Sequence, residues 1–145
     1  MSYSAAFKSI DNTLRTDAGC STELDYIEQT SWILFLKYLD NFETEKEEAA
    51  KLDNTHYKRI FSEEFLWKNW ACPKTIDGKI DYNQALTGDD LLDFVNQKLM
   101  PFLKSLKTTA DNSNKLQYKI GEIFNEISNK LNSGYSLRSV IDKVE

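Results

Sequence analysis

Glycine, proline, cysteine and histidine are all scarce in this 145-residue chain, which holds 5 glycines, 2 prolines, 2 cysteines and 1 histidine. So little glycine and proline, together with 41% hydrophobic residues, excludes collagen-like, low-complexity and disordered chains. A chain of this length favours one domain that buries roughly two-thirds of the surface its unfolded form exposes. We therefore expect a single folded domain over residues 1–145.

Long apolar runs are also missing. Charged or polar residues interrupt every such run well before the ~18 residues that a membrane span requires. The first fifteen residues lack the basic and then apolar layout of a signal peptide. We expect a cytoplasmic protein without a membrane partner.

The residues that usually carry catalysis or hold metals are few and scattered. Cys20 and Cys72 are far apart and His56 is the lone histidine, so a zinc site would be short of ligands and two free thiols are expected. The glycines form neither a G-x-G nor a G-K-[ST] phosphate loop, and no G-x-S-x-G elbow occurs. The sequence thus predicts no catalytic, cofactor-binding or metal-binding residues in this chain.

Charge is unevenly distributed along the chain. The net charge is −5, which argues against binding nucleic acid by bulk electrostatics. Residues 1–100 hold 11 basic and 18 acidic residues, a net charge of −7. Residues 101–145 hold 7 basic and 5 acidic residues, a net charge of +2. The candidates for contact with nucleic-acid phosphates are therefore Lys104, Lys107, Lys115, Lys119, Lys130 and Arg138. The alternative is that these are ordinary solvated side chains.

Helical periodicity dominates the first half of the chain. A first helix carries Ala6, Phe7, Ile10 and Leu14 on one stripe, and Gly19 offers a left-handed stop. Thr22 and Asp25 form the pattern of a capping box at the start of a long central helix. Its predicted buried stripe is Leu24, Ile27, Leu34, Phe35, Tyr38, Leu39 and Phe42, with Trp32, Ile33 and Leu36 beside it. The charged end from Glu43 to Lys51 is expected in solvent.

Periodicity fails between residues 54 and 86, which predicts a long connection with one short helix. The connection is rich in aromatic residues: Tyr57, Phe61, Phe65, Trp67 and Trp70. Packing against the helices is the expected role of these rings, and an exposed platform for a base or a partner is the alternative.

The second half again shows helical patterns. Thr87 and Asp90 predict a second capping box, and Pro101 should kink or split the helix that follows. We predict a loop over residues 108–113, a helix from Leu116 to Leu131 that residues 132–134 end, and a last helix after Ser136. That helix reaches the chain end without a stop signal, so we expect a piece of a longer protein. The predicted fold is all-α, an irregular bundle of five to six helices with one long aromatic-rich connection.

Four stretches of the sequence resemble the N-terminal helical domain of the modification (DNA methyltransferase) subunit of type I restriction-modification systems. They are IDNTLR, FLKYLDNFE, TGDDLLDFVNQKLMPFLKSL and IFNEISNKLNSGYSLRSVIDKVE, in the order that the family has. The second and fourth stretches are the more specific, because the N-E-I, S-G-Y and L-R-x-V-I-D elements of the fourth recur together in the family.

This resemblance implies part of an enzyme that methylates adenine at N6, with S-adenosylmethionine as the cofactor of the full-length protein. The family's cofactor loop and its N-P-P-[FY] motif are absent, so no catalytic residue can be carried over. The resemblance further implies DNA enclosure and contacts with a specificity subunit, a second modification subunit and, as a further partner, the restriction subunit. The alternative is a freestanding helical protein-interaction module with no DNA role, and an N-P-P-[FY] motif downstream in the reading frame would separate the two.

Overall fold

The computed structural model describes residues 3–111 and 115–145, and these form an all-α fold, as predicted. The helices are α1 (Tyr3–Arg15), α2 (Glu23–Leu52), α3 (Trp67–Trp70), α4 (Gly88–Phe94), α5 (Met100–Thr109), α6 (Lys115–Glu126) and α7 (Gly134–Val144). Helix α5 packs on α6, α7 packs on α1 and α4, and α2 contacts α1, α3 and α7. Within the described ranges, every helix is too short or too polar to span a bilayer.

Helix α2 begins with the predicted capping box, in which Thr22 accepts the Asp25 N–H and the Asp25 carboxylate accepts the Thr22 N–H. The predicted buried face, however, is wrong at several positions. Leu24, Ile27 and Tyr38 are exposed, whereas the face turned to the core carries Gln29, Trp32, Ile33, Leu36, Leu39 and Glu43. Apolar residues nearly surround the middle of α2, so periodicity alone did not identify the side that its neighbours cover.

The acidic end of α2 also departs from the prediction at Glu43, which is buried. Its carboxylate accepts the N–H groups of Ile60 (2.5 Å) and Phe61 (3.4 Å) and the hydroxyl of Tyr57 (3.1 Å). Burial raises the pKa of Glu43 even though these donors oppose the shift. The acid therefore fastens the connection to α2.

The connection packs its aromatic side chains into the core, which confirms the packing role. Phe61, Trp67 and Trp70 are buried, and the half-buried Phe65 stacks on Phe102 with ring centroids 4.2 Å apart. The connection holds two short helical pieces, the 3₁₀ turn Glu63–Phe65 and α3, where one was predicted. An isolated β-bridge joins Lys74 to Ile80.

Helix α4 follows Thr87 as predicted, but the Thr87 side chain makes no capping hydrogen bond, so the second capping box is not formed. The helix is not split at Pro101 but changes type before it, so residues 88–109 stay helical throughout. A proline has no N–H to continue the α-helical ladder, and a π-helical turn, Val95–Leu99, immediately precedes α5. The predicted 108–113 loop starts after Thr109, and its positions 112 and 113 lie outside the described residues.

The ends of α6 and α7 also differ from the prediction. Helix α6 ends at Glu126, and Leu131 is buried in the segment that follows. Residues 132–134 start α7 instead of ending α6, because the Ser133 hydroxyl accepts the Ser136 N–H as its N-cap.

Polar contacts hold the α6–α7 segment against the start of the chain. The buried Asp17 carboxylate accepts the N–H groups of Asn132 (3.0 Å) and Ser133 (3.1 Å). Gly19 is not left-handed, which corrects the predicted stop; a Cβ there would overlap the Lys130 carbonyl. Glycine at this position therefore permits a close backbone approach.

Candidate nucleic-acid surface on the α5–α6 hairpin

Helices α5 and α6 form a tight antiparallel pair. Gly121 lies against the backbone of Lys107, where any Cβ would overlap the Lys107 nitrogen. The side chains that face the core are buried and apolar: Leu103, Leu106, Ile120 and Phe124. Near the connecting loop, the Gln117 side chain donates a hydrogen bond of 3.0 Å to the Thr109 hydroxyl. This packing leaves the outer sides of both helices free for polar residues.

Those outer sides carry four of the six predicted contact residues. The hairpin lysines, as we name them, are Lys104, Lys107, Lys115 and Lys119, and all four are exposed. Lys104 and Lys107 lie one turn apart on α5, and Lys115 and Lys119 lie one turn apart on α6. None of the four forms a salt bridge with another residue in the described part of the chain. Their charges are thus available to an external anion.

An aromatic side chain that the sequence analysis did not single out accompanies the hairpin lysines. Tyr118 is 41% exposed, and the Lys107 ammonium lies 5.7 Å from the centroid of its ring. A tyrosine offers an apolar face and a hydroxyl to a sugar or base. Its position in the K-L-Q-Y-K stretch, between two lysines, is the sequence signal that could have revealed it.

Charge changes sign along α6. Lys115 and Lys119 occupy the first half of the helix, while Glu122 and Glu126 follow in the second half. The two acids, with Lys107, Ile123 and Asn125, line an open recess of about 400 Å³. Carboxylates repel phosphate, so an anion should bind at the end of the hairpin that holds the lysines of α6.

The other two predicted contact residues, Lys130 and Arg138, form ion pairs with acidic residues of the domain. Lys130 bonds to Asp25 at 2.7 Å and lies 3.7 Å from Glu28, and the hydrogen bond to Asp25 raises the pKa of Lys130. Arg138 is only 6% exposed, bonds to Asp142 at 2.8 Å and donates to the Leu86 carbonyl at 3.1 Å. Arg138 is therefore buried and paired inside the domain, as a buried charge requires, and is not among the exposed candidates.

The described ranges show no candidate metal site and no reactive cysteine. They contain no group of three or more His, Cys, Asp or Glu side chains placed to hold a metal ion. Both cysteines are buried and free, and burial raises the pKa of the Cys72 thiol to about 11, which disfavours the reactive thiolate.

Comparisons with known proteins agree on one family. Residues 5–144 match the family model described as the HsdM N-terminal domain. The chain is 33% identical over 144 residues to the type I restriction enzyme EcoEI methylase subunit of Escherichia coli, and the match covers 99% of this chain and 26% of that protein.

Two solved structures share the fold. The first is a modification subunit of a type I restriction enzyme from Vibrio vulnificus YJ016 (TM-score 0.84, 29% identity, 97% of this chain and 29% of that chain). The second is a structure from work on complex assembly and conformational transition of the type I restriction-modification system. It aligns with a TM-score of 0.75 and 27% identity, over 97% of this chain and 25% of that chain. The chain spans about a quarter of the length of these relatives. Since the family model matches almost the whole sequence, the chain belongs to the HsdM N-terminal domain family of type I restriction-modification modification subunits.

Proposed function

We propose that this domain is a non-catalytic part of an S-adenosylmethionine-dependent, adenine-N6 DNA methyltransferase in a type I complex. Its role there is to help enclose DNA and to contact the specificity subunit and a second modification subunit in the cytoplasm, with the restriction subunit as a further partner. The full-length relatives support the parent activity, since the E. coli protein is a methylase subunit. This chain itself carries no recognisable cofactor loop or N-P-P-[FY] motif.

The observation that carries the DNA role is the set of four hairpin lysines. In an acidic protein, these side chains stand exposed on two adjoining helices and form no salt bridge within the described residues. Lysine binds phosphate as a flexible point charge and reads no base sequence by such contacts. The hairpin therefore suits contact with the DNA backbone, and sequence choice belongs to the specificity subunit.

The expected binding is weak and depends on salt. Each neutralised phosphate releases condensed counterions, so the logarithm of affinity should fall against the logarithm of salt with a slope of roughly 0.9 per contact. If all four hairpin lysines contact phosphates, this surface contributes about 3.6 to the slope of log affinity against log salt. Removing two of them should lower the slope of the assembled enzyme by about 1.8.

The test uses the assembled methyltransferase. In one variant Lys115 and Lys119 are replaced by glutamate; in a matched control the same change is made at Lys8 and Lys58, which are also exposed but lie elsewhere. DNA affinity is measured by titration at several salt concentrations on specific and non-specific duplexes. The K115E/K119E variant should bind both duplexes more weakly with a flatter salt dependence, while K8E/K58E should bind as the parent does.

The outcome separates the DNA role from the alternative of a protein-interaction module. If K115E/K119E keeps the parent affinity and salt slope but no longer assembles with the specificity subunit, the hairpin is a protein interface. The DNA assignment is then wrong.

A further inference from the structure

A small β-hairpin within the aromatic-rich connection, closed by the bridge between Lys74 and Ile80, has an unusual tip. The Thr75 N–H donates to the Lys79 carbonyl (2.8 Å) and the Gly78 N–H donates to the Thr75 carbonyl (3.0 Å). Gly78 adopts a left-handed φ of 82°, which glycine takes without steric cost, and the Thr75 hydroxyl bonds to Asp77. These contacts are the hydrogen bonds that define the turn.

The tip presents apolar groups to solvent. Ile76 sits at the second position of the turn with its side chain fully exposed (109%), and Tyr82, just past the hairpin, is 64% exposed. Turn positions are usually occupied by Gly, Pro, Asn, Asp or Ser. Hydrogen bonds within a turn restrict its backbone, which lowers the conformational entropy that an isoleucine there loses on binding.

The hairpin is fastened to the last turn of α7. Lys74 forms a salt bridge of 2.8 Å with Glu145, and the Tyr82 hydroxyl donates to Asp142 at 3.2 Å. Lys37 of α2 also reaches this end of α7, where it donates to the Val144 carbonyl at 3.1 Å. The base of the hairpin and Tyr82 therefore lie beside the C-terminal end of α7.

The family match identifies this segment as an N-terminal domain, and about three-quarters of each full-length relative lies outside the matched region. The match to the N-terminal domain ends at residue 144, and Lys74 of the hairpin pairs with Glu145 directly after it. A domain that follows the N-terminal domain in such a subunit would therefore begin beside the hairpin.

We infer that Ile76 and Tyr82, which we call the exit face, form the docking surface for the next domain of the same modification subunit. Ile76 inserts into an apolar recess of that domain, and Tyr82 packs at the edge of the contact. Interfaces between domains of one chain are commonly of this mixed apolar and polar kind. The inference depends on the family membership and not on the DNA role of the hairpin lysines.

Side-chain accessibility measured by hydroxyl-radical footprinting tests this contact. The described residues bury their own core, so the isolated domain can be compared with the full-length subunit. Ile76 and Tyr82 should react readily in the isolated domain and be protected in the full-length subunit. Leu52 and Tyr135, exposed elsewhere on the domain, are the internal controls and should react equally in both. Equal reactivity of Ile76 and Tyr82 in the two proteins would overturn the inference.

A variant distinguishes docking from other causes of protection. Ile76→Ser should leave the thermal midpoint of the isolated domain unchanged and, in the full-length subunit, restore Tyr82 reactivity. The undocked fraction should rise at least about tenfold, since burying an isoleucine side chain favours docking by that factor or more. Leu52→Ser is the matched control and should leave Tyr82 protected.

Two further outcomes also contradict the inference. Protection that appears only when the specificity subunit is added would assign the exit face to that subunit. Protection of the isolated domain that increases with its concentration would assign it to a second copy. Neither result would alter the DNA-binding test at Lys115 and Lys119.

Discussion

Gly121 of α6 and Lys107 of α5 are in backbone contact, so close that a Cβ on Gly121 would overlap the Lys107 nitrogen. Lys107 is one of the four hairpin lysines, and Lys115 and Lys119 lie on the helix that this contact holds in place. The arrangement of the candidate DNA surface thus depends on a residue that carries no charge.

Gly121→Ala should force α5 and α6 apart. Because the clash is with backbone and not with a flexible side chain, we expect a loss of about 1–3 kcal/mol in the free energy of unfolding, measured by urea titration. Asn125→Ala, at an exposed position on the same helix, is the control and should change it by less than about 0.5 kcal/mol. Equal stability of Gly121→Ala and the parent would show that the helices separate at little cost.

Glu43→Ala should destabilise the domain by about 2–4 kcal/mol, because it leaves the N–H groups of Ile60 and Phe61 and the Tyr57 hydroxyl without their acceptor. Glu48→Ala, at an exposed position of the same helix, should have an effect below about 0.5 kcal/mol. Chemical denaturation measures both. Similar effects of the two substitutions would mean that Glu43 does not fasten the connection.

Leu39→Ala should cost about 2–5 kcal/mol, since Leu39 is only 1% exposed. Phe35 is half-buried and stacks on Phe124 at 6.3 Å, so Phe35→Ala should fall at the lower end of that range. Tyr38→Ala, on the exposed side of α2, should cost less than about 0.5 kcal/mol. Thermal denaturation would contradict this orientation of α2 if Tyr38→Ala were the most destabilising of the three.

Asp25 should make the domain sensitive to acid. The hydrogen bond from Lys130 and the Ser21 and Thr22 N–H groups hold the pKa of Asp25 well below its usual value of 3.8. A carboxylate with a lowered folded-state pKa contributes stability that is present above the unfolded-state pKa and is lost as the pH falls below it.

Urea unfolding at a series of pH values tests this sign. Asp25→Asn should be less stable than the parent at pH 7, and the difference should shrink as the pH falls below about 4. Glu23→Gln removes an exposed carboxylate from the same turn and controls for the change in net charge. A constant difference between Asp25→Asn and the parent at all pH values would contradict the prediction.

The isolated chain should neither bind S-adenosylmethionine nor methylate DNA, because the residue types of the cofactor loop and the adenine pocket are missing. Calorimetric titration with S-adenosylmethionine should show no specific heat for the isolated chain, whereas the proposed function expects binding by the full-length subunit. Stoichiometric binding to the isolated chain at micromolar concentration would contradict this.

Local patterns predicted the helical class, the start of α2 at its capping box and an irregularity of the helix at Pro101, which is the π-helical turn before it. Each depends on interactions within a few residues: side-chain capping of free N–H groups, the missing N–H of proline and the 3.6-residue period. The family resemblance also came from local motifs, and the comparisons confirm it. The four hairpin lysines were identified from the charge asymmetry of the sequence and lie exposed on two packed helices.

Tertiary structure decided what local pattern could not. The buried face of α2 was settled by its neighbours, which left Leu24 in solvent and buried Glu43 against the N–H groups of a segment distant in sequence. Arg138 became an internal ion-pair partner because Asp142 and the Leu86 carbonyl meet it in the folded chain. Charge and hydropathy belong to a residue, whereas burial and pairing depend on contacts between distant segments, which exist only once the chain has folded.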